Sequence, residues 1–319
     1  MCFRLKHPVT AGWICARLGL RLTGIDRTIG RLCTLNCLAE DGLSFALPGR
    51  AIDHLRNGTL IGVNGSRGSG VSIIASPRPR LDFIRAQYLL DEVAGLERSV
   101  AAPEIHRTVW VAPGAVIENG VIIGEGTIIG PNAVVRSGTR IGRHCELQSG
   151  AVIGDAGFGF ERDADNHPLR MIHLGGVLIG DHVQIGALTS IARGALGDTV
   201  LEDYVMINNH VHIAHNCHIG EGTIIGACAD LSGSLKVGKN CWIAPNCSIR
   251  QKLAIGEAAI VGIGAVVVRD VEPGSTVYGN PAKPAPKAAA RSGVIEATRP
   301  PDSAARPPEN RAPAPLEAA

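Results

Sequence analysis

Aromatic residues are scarce: three Trp, three Tyr and five Phe make up only 3% of the 319 residues. So few rings exclude a layered α/β core filled by large aromatic side chains. Charge of one sign is lacking too. The formal net charge is +2, with no basic block and no interleaving of rings with basic residues, which removes the electrostatic case for nucleic acid. The nine cysteines are odd in number and contain no CxxC, and several occupy apolar repeat positions. Reduced, mostly buried thiols in a cytosolic protein are therefore expected. No apolar run reaches membrane-spanning length, and "MCFRLKHPVTAGWICARLGLRL" lacks an apolar core followed by a small-residue cleavage site. The expectation is a soluble, cytoplasmic chain without a transmembrane segment.

Glycine, by contrast, is abundant at 40 residues, and the aliphatics recur with a period of six. Val111, Ile117, Ile123, Ile129, Val135, Ile141, Leu147 and Ile153 form one run. Ile179, Ile185 and Ile191 follow, and then Leu201, Ile207, Ile213, Ile219, Ile225, Leu231, Val237, Ile243, Ile249, Ile255, Val261 and Val267. Neither a helix nor an ordinary sheet has that period. It is the hexapeptide signature of a left-handed parallel β-helix, in which each unit buries its apolar face only by stacking on its neighbours. Three hexapeptides make one triangular coil, so residues three repeats apart should stack one strand spacing from each other. Each repeated aliphatic points inward, its flanking residues point outward, and the residues two and three later turn the corner.

The period breaks at 154–178 and at 194–200. Insertions in a solenoid become loops on one face, often the binding face. The first is read as a substrate loop, with a tolerated surface excursion as the alternative. Residues 1–100 lack the hexapeptide order. "PVTAGWICARLGLRL" has helical spacing, while "GRLCTLNCLAEDGLSFAL" and "GTLIGVN" suggest short strands, so a small N-terminal α/β domain should precede the β-helix of 101–287. The Pro- and Ala-rich stretch 288–319 has almost no large apolar residues and is expected to be a disordered tail.

Four histidines crowd into "NNHVHIAHNCHIG". His212 and His218 should lie on outer flat faces, where solvent-facing strand residues are the plain explanation. His210 and His215 should occupy successive corners. Gly233 lies three hexapeptides beyond His215, one full coil, so its backbone should stack on the imidazole. A base beside a free N–H suits acyl transfer, because the imidazole takes a proton while the N–H holds an oxyanion. A structural corner histidine is the alternative. His210-x4-His215 also resembles part of the γ-class carbonic anhydrase site, where three histidines hold a catalytic zinc. The third histidine of such a site would have to be His173, in the inserted segment, or His182, placed on a flat face.

The chain to about residue 272 resembles the UDP-3-O-(3-hydroxyacyl)glucosamine N-acyltransferases of lipid A biosynthesis. The resemblance rests on "SGAVIGDAGFGF", "LGGVLIGDHVQIGALTSIARGALGDTVLEDYV", "HIAHNCHIG", "LSGSLKVGKNCWI" and, upstream, "GLSFALPGRAIDHL". It implies a homotrimer with clefts between subunits, in which the N-terminal domain grips a nucleotide-linked amino sugar and the β-helix holds the acyl donor. No bound cofactor is implied; the co-substrate is an acyl carrier protein thioester or acyl-CoA. Carried over position by position, the base falls on His215, the oxyanion donor on the Gly233 N–H, and the ring that stacks on uracil on Phe45. Phe158 and Phe160 of the GFGF loop, together with Asn208, Asn209, His210 and Lys252, fall among the substrate-binding positions.

Several positions depart from the family pattern. Pro48 and Ala51 stand where an Asn and a Tyr are expected around the uracil, and Asn208 stands where a carboxylate is expected. Asp155-Ala156 reverses the order of a residue followed by Asp, and Lys252 replaces a second histidine. "VVVRDVEPGSTVYGNPAKP" looks instead like the final coil of acetyl-CoA-dependent sugar acetyltransferases, where Lys283 could meet a coenzyme phosphate. The resulting expectation is an N-acyltransferase for a UDP-3-O-acylglucosamine-like acceptor in lipid A or surface glycan synthesis. An acetyl-CoA-dependent relative, a zinc hydrolyase and an inactive sugar-nucleotide-binding protein are the alternatives.

Overall fold

The computed structural model describes residues 2–66, 70–97 and 101–284. The tail expected at 288–319 lies outside them.

The N-terminal part is a six-stranded mixed sheet with two helices. The strands are β1 (Cys2–Thr10), β2 (Arg21–Thr23), β3 (Thr28–Cys33), β4 (Gly42–Phe45), β5 (Thr59–Gly62) and β6 (Ser72–Ala75), in spatial order β1-β3-β4-β5-β6-β2. The helix read from "PVTAGWICARLGLRL" is α1 (Ala11–Leu18), whose start is capped by the Thr10 hydroxyl and whose end is the left-handed Gly19. The second helix, α2 (Pro79–Val93), and the edge strand β1 were not legible in the sequence. Phe83, Ile84 and Leu90 of α2 pack on Leu43, Ile61 and Ile74 of the sheet.

One cysteine expectation is corrected here. Cys2 and Cys33, opposite each other on antiparallel β1 and β3, form a disulfide. Cross-strand partners meet in space whatever their separation along the chain, which no spacing motif records. Cys15, Cys145, Cys217, Cys241 and Cys247 are buried free thiols, and burial pushes the Cys217 thiol up to about 11.

From Glu104 onward the chain is a parallel β-solenoid with three sheets of eight, ten and eight short strands, consistent with a left-handed β-helix. Ile213 pairs with Leu231, three hexapeptides on, as one coil requires. The breaks in period are visible in the register. Ile141 pairs with Ile179, so the first excursion more than doubles the length of its coil. Ile179 in turn pairs with Leu201, so the second excursion lengthens its coil only slightly. The first is also shorter than 154–178, since parallel pairing continues to Asp155 and resumes at Val177. Between them lies an antiparallel hairpin, Phe160–Arg162 with Pro168–Arg170.

From Ile123 onward the inward aliphatics are almost wholly buried in one continuous core, whereas Val111 and Ile117 of the first coil are exposed and partly buried; each buried one contributes about 1.5–3 kcal/mol by leaving water. Corners take left-handed backbone at the third residue after the aliphatic: His210, Asn216, Ser234 and Lys252 all have φ between 58° and 64°. His182, expected on a flat face, sits at such a corner at φ 58°, its ring stacked between His144 and Tyr204. Met171 of the first excursion and Leu196 of the second pack into the core of the N-terminal sheet. The two insertions thereby hold the α/β part against one corner of the solenoid.

Candidate active site

A cavity of about 700 Å³ opens at that junction. His215, Asn216, Gly233, Ser234 and Lys252 reach it from the solenoid, Phe45 and Arg80 from the N-terminal part, and Phe158, Phe160 and His173 from the first excursion.

His215 is half-buried, two residues beyond the inward Ile213, and its ring is oriented by its neighbour. The Asn216 Oδ1 lies 3.1 Å from His215 Nδ1. The amide is fixed by backbone on both sides: Oδ1 accepts from the Ala195 N–H at 3.0 Å, and Nδ2 donates to the Gly197 carbonyl at 3.0 Å. An amide held this way presents oxygen, not nitrogen, to the imidazole, so Nδ1 must carry the proton. Nε2 is left as a lone pair, the form a general base needs. The second insertion, Gly194–Asp198, thus supplies the backbone that sets the tautomer.

Gly233 stacks on this imidazole as the spacing requires. Its neighbour Ser234 donates to the His215 carbonyl at 2.8 Å, and a Cβ added to Gly233 would stand 2.8 Å from His215 Nε2. No acceptor for the Gly233 N–H occurs among the described residues. A lone pair at Nε2 beside a spare backbone donor is the pairing that an attacking nucleophile and a developing oxyanion require.

Burial disfavours the imidazolium and lowers the His215 pKa; Arg80, His212 and Lys252 act in the same direction, while the Asn216 hydrogen bond opposes them. Behind it stands His173, with ring centroids 5.1 Å apart and the planes crossed at 63°. His173 Nδ1 faces the Met171 carbonyl at 3.0 Å and must donate to it, and Nε2 has no partner among the described residues. Its burial, then the neighbouring His215, push its pKa down to about 4, so it is neutral at physiological pH. Gly157 leaves room for both rings: a Cβ there would lie 2.9 Å from His173 Nε2 and 2.8 Å from His215 Cβ.

Phe45 lies at the end of β4 with its ring 4.9 Å from that of Phe83. Phe158 and Phe160 are 5.5 Å apart at the mouth, and the Arg170 guanidinium lies 5.8 Å from the Phe158 ring. Pro48 and Ala51 are exposed and do not line the cavity.

Other expected residues lie elsewhere in the chain. Asn208 and Asn209 line a separate, smaller depression of about 220 Å³ beside Met206 and Trp242, and His210 occupies the corner they lead to. The Asn208 side chain accepts from the Asn209 N–H at 2.7 Å and makes no contact with His215; the orienting group is Asn216 instead. Lys283 is exposed in the final strand pair, away from the cavity. His212 and His218 lie on outer faces, bonded to Ser190 and to Glu202. Among the described residues the grouping with metal-ligand geometry is Asp163, Asp165 and His167 at the hairpin tip, not the histidine segment.

Sequence reasoning did not reach Asn216 or Arg80, and it met His173 only as a candidate third zinc ligand, not as the neighbour of His215. A hint existed for Asn216, because Asn tolerates a left-handed corner and its amide can fold back on local backbone. Nothing local marks His173 or Arg80, which arrive from an insertion and from another part of the fold.

The repeat and its coils define a hexapeptide-repeat β-solenoid protein. In agreement, a model of the bacterial transferase hexapeptide (six repeats) matches residues 102–137, 123–155 and 198–229. Over 61 residues the chain is 54% identical to a UDP-3-O-acylglucosamine N-acyltransferase of Saccharophagus degradans and 56% identical to one of Xanthomonas oryzae pv. oryzae. Those matches cover 19% of this chain and 18% of the length of each relative. A crystal structure of a UDP-N-acetylglucosamine acyltransferase from Bacteroides fragilis superposes with a TM-score of 0.52 at 25% identity, covering 58% of this chain and 69% of that one. No helix among the described residues is long and apolar enough to cross a membrane.

Proposed function

We propose that this chain is an acyltransferase that forms an amide on a nucleotide-linked amino sugar, taking the acyl group from a thioester. The observation that carries this reading is the Asn216-set tautomer of His215, whose bare Nε2 stands beside the Gly233 N–H. The acceptor amine attacks the thioester carbonyl as Nε2 removes its proton. The carbonyl oxygen takes the displaced electron pair and is held by the Gly233 N–H; on collapse the C–S bond breaks and the thiolate takes the proton back from His215. Phe45, Phe158 and Phe160 give the cavity apolar walls suited to a base or an acyl chain.

The names of the curated relatives point to a UDP-3-O-acylglucosamine-like acceptor in lipid A or surface glycan synthesis. The donor is acyl carrier protein thioester or acyl-CoA. A cytoplasmic homotrimer fits the fold. The outer face of the ten-stranded sheet carries two apolar clusters, exposed Trp110 with Ile128 and exposed Met206 and Trp242 flanking Ile224, separated by Glu146 and Gln184 and suited to meeting copies of itself. Asn208, Asn209 and His210 border that face, where a neighbouring subunit would reach them.

Mass spectrometry of products tests the reading. The protein is incubated with UDP-linked amino sugars, including UDP-3-O-acylglucosamine, and either 3-hydroxyacyl carrier protein or acetyl-CoA. A hydroxyacyl amide that disappears in His215→Ala supports the lipid A step. An acetyl amide selects the acetyl-CoA-dependent alternative, and no product from any pairing overturns the acyltransferase reading.

A further inference from the structure

His215 shares its cavity with two cations drawn from distant parts of the chain. Arg80 projects from the first turn of α2, and Lys252 stands at the solenoid corner one coil beyond Gly233, its N–H donating to the Gly233 carbonyl at 3.0 Å. Arg80 reaches the catalytic neighbourhood: a Cβ on Gly159 would lie 3.5 Å from its Nη2 and 3.3 Å from Cε1 of His173. Glu161 is the one carboxylate among the described residues that line this cavity. It is already engaged, by Arg80 at 2.9 Å and by Arg78 at 3.9 Å. No carboxylate among the described residues pairs with Lys252. The cavity's two cations thus face one carboxylate, which Arg78 engages as well, and this leaves positive charge uncompensated at a concave surface where fields are focused. Ser44 and Ser234 line the same space and add hydroxyl donors.

We propose that Arg80 and Lys252 form a phosphate-binding subsite of this cavity, holding a phosphate or diphosphate group of a bound substrate beside His215. A guanidinium and an ammonium that converge with hydroxyls are suited to phosphate oxygens. The diphosphate of a nucleotide-linked sugar and the phosphate of a 4′-phosphopantetheine arm share this chemistry.

Occupancy would also set the strength of the base, a consequence that rests on reading His215 as that base. The charged and titratable groups facing the imidazole are His212 from the same coil, His173 from the excursion, Arg80 with its partner Glu161, and Lys252 from farther along the solenoid. The two cations disfavour a proton on His215. A bound phosphate cancels them, so the imidazole gains basicity when substrate is present and stays less basic when it is absent.

Histidine-selective NMR on the full chain tests this without requiring turnover. The His215 signal is assigned by its loss in His215→Ala, and its titration is followed with and without inorganic pyrophosphate. Saturating pyrophosphate should raise the midpoint by about one pH unit, the effect of about 1.4 kcal/mol of charge interaction. Arg80→Gln and Lys252→Gln should each weaken pyrophosphate binding about tenfold or more and shrink that shift, with thermal melts confirming that both are folded. A midpoint unmoved at saturation, or a full shift retained in both variants, overturns the subsite. Parallel titrations with uridine diphosphate and 4′-phosphopantetheine identify the source as whichever ligand loses affinity in the variants; if neither does, the proposal fails. A shift without any acylated product would sink the acyltransferase reading and keep the subsite, whereas product without a shift would do the reverse.

Discussion

The Asn216 amide oxygen stands 3.1 Å from His215 Nδ1, and the same amide is clamped by the Ala195 N–H and the Gly197 carbonyl. A short insertion in one coil therefore controls which nitrogen of the next coil's histidine is free. If Asn216 is replaced by Ala, two backbone groups lose their partners, the imidazole loses its orienting acceptor and a left-handed corner loses a residue type that tolerates it. Denaturant unfolding should report a loss of about 1–3 kcal/mol. Turnover should fall with it even where the protein remains fully folded.

His215→Ala removes the proposed base but no packing of the inward aliphatics. Turnover should fall by about 10²–10⁴, the usual worth of a positioned base, while the melting temperature and oligomeric state stay as in the parent. Full activity in this variant would remove His215 from the mechanism.

Gly233→Ala tests the other half of the pair. The backbone there is outside the left-handed region, so the new methyl group strains contacts and not φ. Its Cβ would stand 2.8 Å from His215 Nε2, which displaces the ring or blocks the reacting atom. A misplacement of this order costs about 10²-fold in rate. Steady-state kinetics showing less than a few-fold change would argue that the carbonyl oxygen binds elsewhere.

Activity should persist to more acid pH than an exposed histidine would allow. A general base works unprotonated, and burial with nearby cations lowers the pKa of His215, the proposed base, so the acid limb of kcat/KM should lie below the ordinary imidazole value. An acid limb at or above that value would point to a different base.

Stability should also fall with acid through His173. Its folded pKa is about 4, while an unfolded histidine titrates near 6.5. Between those values the unfolded chain binds the proton and the folded one does not, so stability is full above about pH 6.5 and declines as pH falls toward 4. His173→Gln should flatten that slope in melts recorded across the window. An unchanged slope would mean that another group carries it.

Much of this protein could be read from the sequence alone. A six-residue period in Ile, Val and Leu has one structural solution, because only a three-sided coil returns every sixth side chain to the interior. The stacking of Gly233 on His215 followed from the same arithmetic, and the interruptions at 154–178 and 194–200 marked the loops that border the cavity. The tertiary structure decided the rest, because the rest depends on contacts between segments that no local pattern connects. Cys2 meets Cys33 through strand pairing, His173 reaches His215 by way of an excursion, Arg80 arrives from a helix of the α/β part, and Asn216, not Asn208, faces the imidazole. Periodicity fixes what points inward in a repeat, since burial there is repeated at every turn. The proposed site lies where the repeat is broken and distant elements converge, and that convergence exists only once the chain has folded.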